Sequence, residues 1–215
     1  MLLGTQLILT LVLIKGEICP GQRGRVHKLF PALGVLWLAS ATLGVAAMVV
    51  AAPIFYFYSQ VQTKKTREKG PLWALHLGNL LAAAFVGHKI VGLSYLSAQA
   101  AGLLLVVVLG ALFAQLNLKI ARSRLDAFQK ILPISGVVGV IMLVIMVALQ
   151  SFHLEEVALQ SMATQLFAGI ALMIAGTVIW CWHLIKSSVA GKLQLSIAGV
   201  LMVLACIGVQ PLFLL

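Results

Sequence analysis

Charged side chains make up only 9% of this 215-residue sequence, against about a quarter in soluble globular domains. That shortage excludes a water-solvated fold. Acidic residues number five, and none falls inside an apolar run: Glu17, Glu68 and Asp126 sit in basic connections, and Glu155 with Glu156 sits between two runs. A proton- or sodium-coupled transporter usually needs a carboxylate within the membrane, and a zinc-dependent membrane hydrolase needs acids clustered with histidines. Both lose ground. The sequence has no Walker loop, no GxSxG elbow and no HExxH helix, so no soluble-enzyme motif supports catalysis. Its three cysteines, Cys19, Cys181 and Cys206, lack metal-ligand spacing, which argues against a disulfide framework or a zinc site.

What is abundant is hydrocarbon. Hydrophobic residues are 62% of the chain and mean hydropathy is +1.10. Several runs reach the roughly 20 residues that a helix needs to cross a hydrocarbon core about 30 Å thick, and the alternation of an outer-membrane barrel is absent. The expected fold is all-α: a single integral membrane domain over residues 1–215, built as a polytopic helical bundle. Six spans are expected, Leu29 to Ser59, Leu72 to Ser94, Ala98 to Leu118, Ile131 to Phe152, Gln160 to Ile185, and Leu193 to the C-terminus. The opening MLLGTQLILTLVLIK lacks the basic start and cleavage site of a signal peptide, and is read as retained: at about 15 residues it is either a short, snorkelled seventh span or an interfacial helix. The first span is long for one crossing, and Pro53 within AAPIFYFYSQ predicts a kink.

Positive charge gives the orientation. The connections 62–70, 117–130 and 185–192 carry most of the fifteen basic residues and are expected on the cytoplasmic side of an inner, plasma or thylakoid-type membrane. The net charge of +10 is read as topology signals and lipid-headgroup contacts rather than as a nucleic-acid footprint. One segment disagrees: KGEICPGQRGRVHK (15–28) is basic, yet falls on the outer side if Leu29 to Ser59 crosses once. Small residues at helical spacing, Gly78 with Ala82, Ala83 with Gly87, Ala171 with Ala175, and Gly169 with Gly176, predict close helix packing.

With acids outside the spans, histidine is the remaining chemistry. The expected topology sorts His76 and His183 to the inner side, and His88, His153 and His27 to the outer. Neutral imidazole ligates haem iron or a chlorophyll magnesium, and bundles build such sites from facing helices. His76 and His183 are therefore the candidate haem iron ligands, with His88 and His27 as further cofactor-binding candidates. His76 and His88, twelve residues apart, point about 120° apart around a helix and lie about 18 Å apart along it, so they do not share a face. Each residue also has a plainer reading. His76 with Asn79 makes an interhelical hydrogen bond; His88 with Lys89 snorkels to the interface; WCWH (180–183) is an aromatic belt; His27 and His153 are solvated.

Two stretches carry a family likeness: VHKLFPALGVLWLASATLG (26–44), a histidine opening a long span that ends in Leu-Gly, and LHLG (75–78), a histidine followed by Leu-Gly after a basic loop. Here the chain resembles the b-type membrane cytochromes, especially an uncharacterised group of bacterial and cyanobacterial four-helix proteins related to ascorbate-reducible cytochromes. The likeness covers about the first half, and implies haem b and electron transfer. It departs at AQAAG (98–102) and FQKILP (128–133), where those families place histidines, which implies that part of the ligation is lost or rearranged. Three functions fit the sequence: an accessory or scaffold subunit without catalysis of its own, associating with other membrane subunits or itself in the lipid bilayer; a haem b or pigment-binding electron-transfer protein; and a small-solute carrier or channel.

Overall fold

A computed structural model describes residues 1–16, 18–63, 70–122, 125–186 and 188–214. The basic stretch 64–69, with Glu17 and Arg124, lies outside the described residues. The helices are α1 (Leu2–Lys15), α2 (Pro20–His27), α3 (Phe30–Ala39) running into a 3₁₀ turn (Ser40–Leu43), α4 (Ala47–Thr63), α5 (Leu72–Val91), α6 (Leu96–Ile120), α7 (Asp126–Ser151), α8 (Glu156–Ile185) and α9 (Lys192–Leu214). Among the described residues, six helices are long and apolar enough to cross a membrane: Pro20–Leu43, Leu72–Val91, Leu96–Ile120, Ala127–Ser151, Glu156–Ile185 and Lys192–Phe213. The polytopic helical bundle expected from hydropathy is what forms.

The stretch Leu29 to Ser59 is not one span but a helical hairpin, α3 going one way and α4 returning. Its reversal is at Gly44, not at Pro53, which sits inside an unbroken α4. Ser40 Oγ donates back to the Leu36 carbonyl at 2.9 Å and Thr42 Oγ1 to that of Ala39 at 3.2 Å. Such hydroxyls compete with the backbone ladder. Gly44 then takes φ 155°, a conformation that favours glycine, and the chain turns back.

This hairpin inverts everything before it. The basic segment 15–28 now lies at the same end of the bundle as the connection after α6: Arg25 Nε donates to the Ala121 carbonyl at 2.8 Å, and its guanidinium reaches the Arg122 carbonyl at 3.4 Å. Carbonyls left over at a helix C-terminus need such donors. Lys15, Arg23, Arg25, Lys28, Lys119, Arg122, Lys130, Lys186 and Lys192 therefore sit at this basic end, whereas Lys89 lies at the other, beside Gly44.

Two groups of helices share α6. In the first, α4 packs between α3 and α5, and α1 lies against α5 and α6; in the second, α6 pairs with α7, and α8 with α9. The close crossings are set by glycine. A Cβ on Gly4 would stand 2.1 Å from the Val106 carbonyl oxygen, and one on Gly110 would stand 2.6 Å from Gly4 Cα, so α1 and α6 meet backbone to backbone. Of the small-residue pairs expected to pack, Gly78 with Ala82 and Gly169 with Gly176 are buried, while Ala83, Ala171 and Ala175 face outward. Large apolar side chains such as Leu80, Val107, Ile141 and Phe167 are exposed around the bundle, as a lipid-facing surface requires.

Candidate functional site

The richest polar cluster inside the bundle lies toward the basic ends of α6 to α9, and it starts from a proline. Pro133 sits within α7 and has no N–H, so the carbonyl of Gln129, one turn back, loses its helical partner. Side chains from two other helices replace it. His183 Nε2 lies 3.3 Å and Gln115 Nε2 3.5 Å from the Gln129 oxygen. The Gln115 carboxamide oxygen accepts from Trp180 Nε1 at 2.6 Å. Gln194 of α9 donates to the Ile179 and Trp180 carbonyls at 2.7 and 3.3 Å, tying α9 to the C-terminal part of α8. Trp180 fits because α7 has no side chain there: a Cβ on Gly136 would fall 2.0 Å from a ring carbon of the indole.

Beside this cluster, Gln115, Lys119, Phe128, Gln129 and Leu195 line a cavity of about 20 Å³. That is room for a water molecule, not for an organic cofactor.

A second cluster joins α1, α3 and α5. Trp37 Nε1 donates to Gln6 Oε1 at 2.8 Å, Thr10 Oγ1 donates to the Gln6 carbonyl at 2.7 Å, and the Thr10 hydroxyl lies 3.5 Å from Asn79 Oδ1. Gln6 Nε2 is buried without a partner, facing the bare Gly78 Cα, where a Cβ would come within 3.2 Å. Each group of helices is thus pinned by a buried tryptophan donating to a buried glutamine.

The histidines do not assemble as the sequence suggests. His183 is buried, but both ring nitrogens face carbonyl oxygens, Nδ1 that of Trp180 at 2.8 Å and Nε2 that of Gln129. A neutral ring has one N–H and one lone pair to offer, and neither nitrogen points into open space. His76 is exposed on α5, so the expected inward pairing of His76 with Asn79 and His183 is not formed; Asn79 meets Thr10 instead. His88 is exposed with Lys89. His153 is exposed and stacks on Tyr95 at 4.9 Å. His27 corrects the solvated reading: it is buried edge-on against Phe57 at 5.3 Å, and neither nitrogen has a hydrogen-bond partner. WCWH divides as well. Trp182 is exposed under the Lys186 ammonium at 5.3 Å, as a belt residue would be, whereas Trp180 is fully buried.

These residues do not fit a haem or chlorophyll-type pigment held between two histidines, since the one buried in a polar setting is turned to backbone oxygens. Among the described residues no group of three or more His, Cys, Asp or Glu is placed to hold a metal. What sequence reasoning missed were the uncharged amides Gln6, Gln115 and Gln194 and the freed backbone carbonyl of Gln129. One signal was available, the four-residue step from Gln129 to Pro133.

A protein-family model for an integral membrane domain matches residues 1–210. The chain belongs to that family. The match supports a membrane domain and carries no cytochrome-like likeness. The chain is also similar, with 29% identity over 145 residues, to a protein of Haemophilus influenzae described as uncharacterised; the alignment covers 62% of this chain and 53% of the relative. The chain therefore spans about half the length of the curated relative it matches. No solved structure matches it.

Proposed function

We propose that the protein is an accessory or scaffold subunit of a larger membrane assembly, without catalysis of its own. The observation that supports this is where its internal polar groups go. Trp180, Gln115, His183, Gln194, Trp37 and Thr10 are committed to hydrogen bonds between or within helices. They hold the bundle together, and the cavity that Gln115 lines beside them is only water-sized. Meanwhile Ala83 and Gly87 on α5 present small residues at the surface, with open space where a Gly87 Cβ would be, and such faces accept another helix closely.

Mild-detergent extraction from native membranes is the test. The expected result is co-purification of fixed, stoichiometric membrane partners, diminished by Gly87→Leu. A monodisperse, partner-free species from native membranes overturns the reading. The electron-transfer alternative requires His183 to leave its two carbonyls. A b-type alpha band in the reduced-minus-oxidised spectrum, lost in His183→Ala, supports it against the scaffold reading.

The orientation is proposed on the same footing. Every described basic cluster but Lys89 lies at one end of the bundle, and by the positive-inside rule that end faces the cytoplasm.

A further inference from the structure

A groove of about 380 Å³ opens on the outer surface between α6 and α9, floored by Leu112, Phe113 and Leu116 on one side and Leu195, Gly199 and Val203 on the other. Its depth comes from Gly199, where an added Cβ would meet nothing within 4 Å. From Leu195 to Leu204 the groove runs about 13 Å along α9 at 1.5 Å per residue. That is close to half of a hydrocarbon core about 30 Å thick. A partner helix would cross both leaflets and need a face of twice that length, whereas an acyl chain occupies one leaflet.

The groove's end is charged. Leu116 and Leu195 each stand one turn from a lysine, Lys119 and Lys192, both at the basic end. Neither α6 nor α9 carries a carboxylate to neutralise them. Lys119 and Leu195 also line the small cavity with Gln115 and Gln129, so at Leu195 the apolar groove adjoins a cavity that Lys119 shares.

From this juxtaposition we propose that the α6/α9 groove is a binding site for one anionic glycerophospholipid. An acyl chain lies along Gly199 and the phosphate is held by Lys119 and Lys192. Basic pockets between transmembrane helices hold anionic headgroups in this way. The site is independent of any partner subunit.

Native mass spectrometry of the delipidated full chain, titrated with phosphatidylglycerol or with phosphatidylcholine of identical chains, tests the proposal. One equivalent of phosphatidylglycerol is expected to bind roughly tenfold or more tightly than phosphatidylcholine, because only phosphatidylglycerol carries a net negative charge for the two lysines to meet. Lys119→Gln with Lys192→Gln should abolish that preference, and Gly199→Leu should weaken retention of both lipids. Ser196→Leu, also on the groove wall and exposed, serves if the glycine variant fails to fold. Equal binding of the two lipids, or phosphatidylglycerol binding unchanged by the groove variants, overturns the site. So does a dimer that Gly199→Leu dissociates, which would assign the groove to a second copy of this chain.

Discussion

At the scale of single residues, the cluster around Trp180 depends on one side chain that is absent and one hydrogen bond that is buried. Gly136→Ala would set a Cβ 2.0 Å from the indole ring. Overpacking of this kind costs about 1–3 kcal/mol, so the thermal midpoint in detergent should fall clearly. An unchanged midpoint would show that the ring is not held flat against α7. The Gln115 to Trp180 bond should matter less, because interhelical hydrogen bonds in membranes average roughly 0.6 kcal/mol. Its signature is coupling rather than size. Gln115→Leu strands the indole N–H and Trp180→Phe strands the amide, whereas removing both leaves nothing unpaired. The double variant should therefore be less destabilised than the sum of the two singles; strict additivity in that cycle would argue against the bond.

At the scale of elements, Pro133 gives opposite expectations on two views. In an ordinary helix interior proline costs about 3 kcal/mol relative to alanine, so Pro133→Ala ought to stabilise α7. In this protein the proline frees the Gln129 oxygen, which His183 and Gln115 then approach. A restored N–H at residue 133 would compete for that acceptor. Pro133→Ala is thus expected to give no gain, measured as no rise in thermal midpoint; a rise of the full helix-propensity size would show that the freed carbonyl is incidental. Elements were largely legible in the sequence because burial in lipid leaves long apolar runs. The exception, Leu29 to Ser59, was misread because its turn, SATLG, is made of small and apolar residues. Only the glycine conformation and two back-bonding hydroxyls mark it. The site was poorly legible for a related reason: Gln115 and Trp180 are 65 positions apart, and an uncharged amide in an apolar run carries no hydropathy signal.

At the scale of the whole molecule, one misread hairpin changes the side on which the first 28 residues lie. Counted as a single crossing, Leu29 to Ser59 sends the basic segment 15–28 away from the other basic connections. Folded as α3 and α4, it brings Arg25 onto the end of α6, and the charge asymmetry becomes coherent. Cys19 reports on this directly. It is exposed just ahead of α2, and the backbone N–H of Gln22 holds its thiol below the ordinary cysteine range, which favours the reactive thiolate. Cys181 and Cys206 are only partly accessible within apolar helices, so a membrane-impermeant maleimide should label Cys19 first. With the basic end cytoplasmic, labelling is expected in inverted vesicles and not in intact cells, and Cys19→Ser should abolish it. Because the thiol is shifted down, the labelling rate should rise with pH to a midpoint below that of a free cysteine thiol. Labelling from outside intact cells would place the basic end on the other face and overturn the proposed orientation, while leaving the hairpin and the Arg25 contact as they stand.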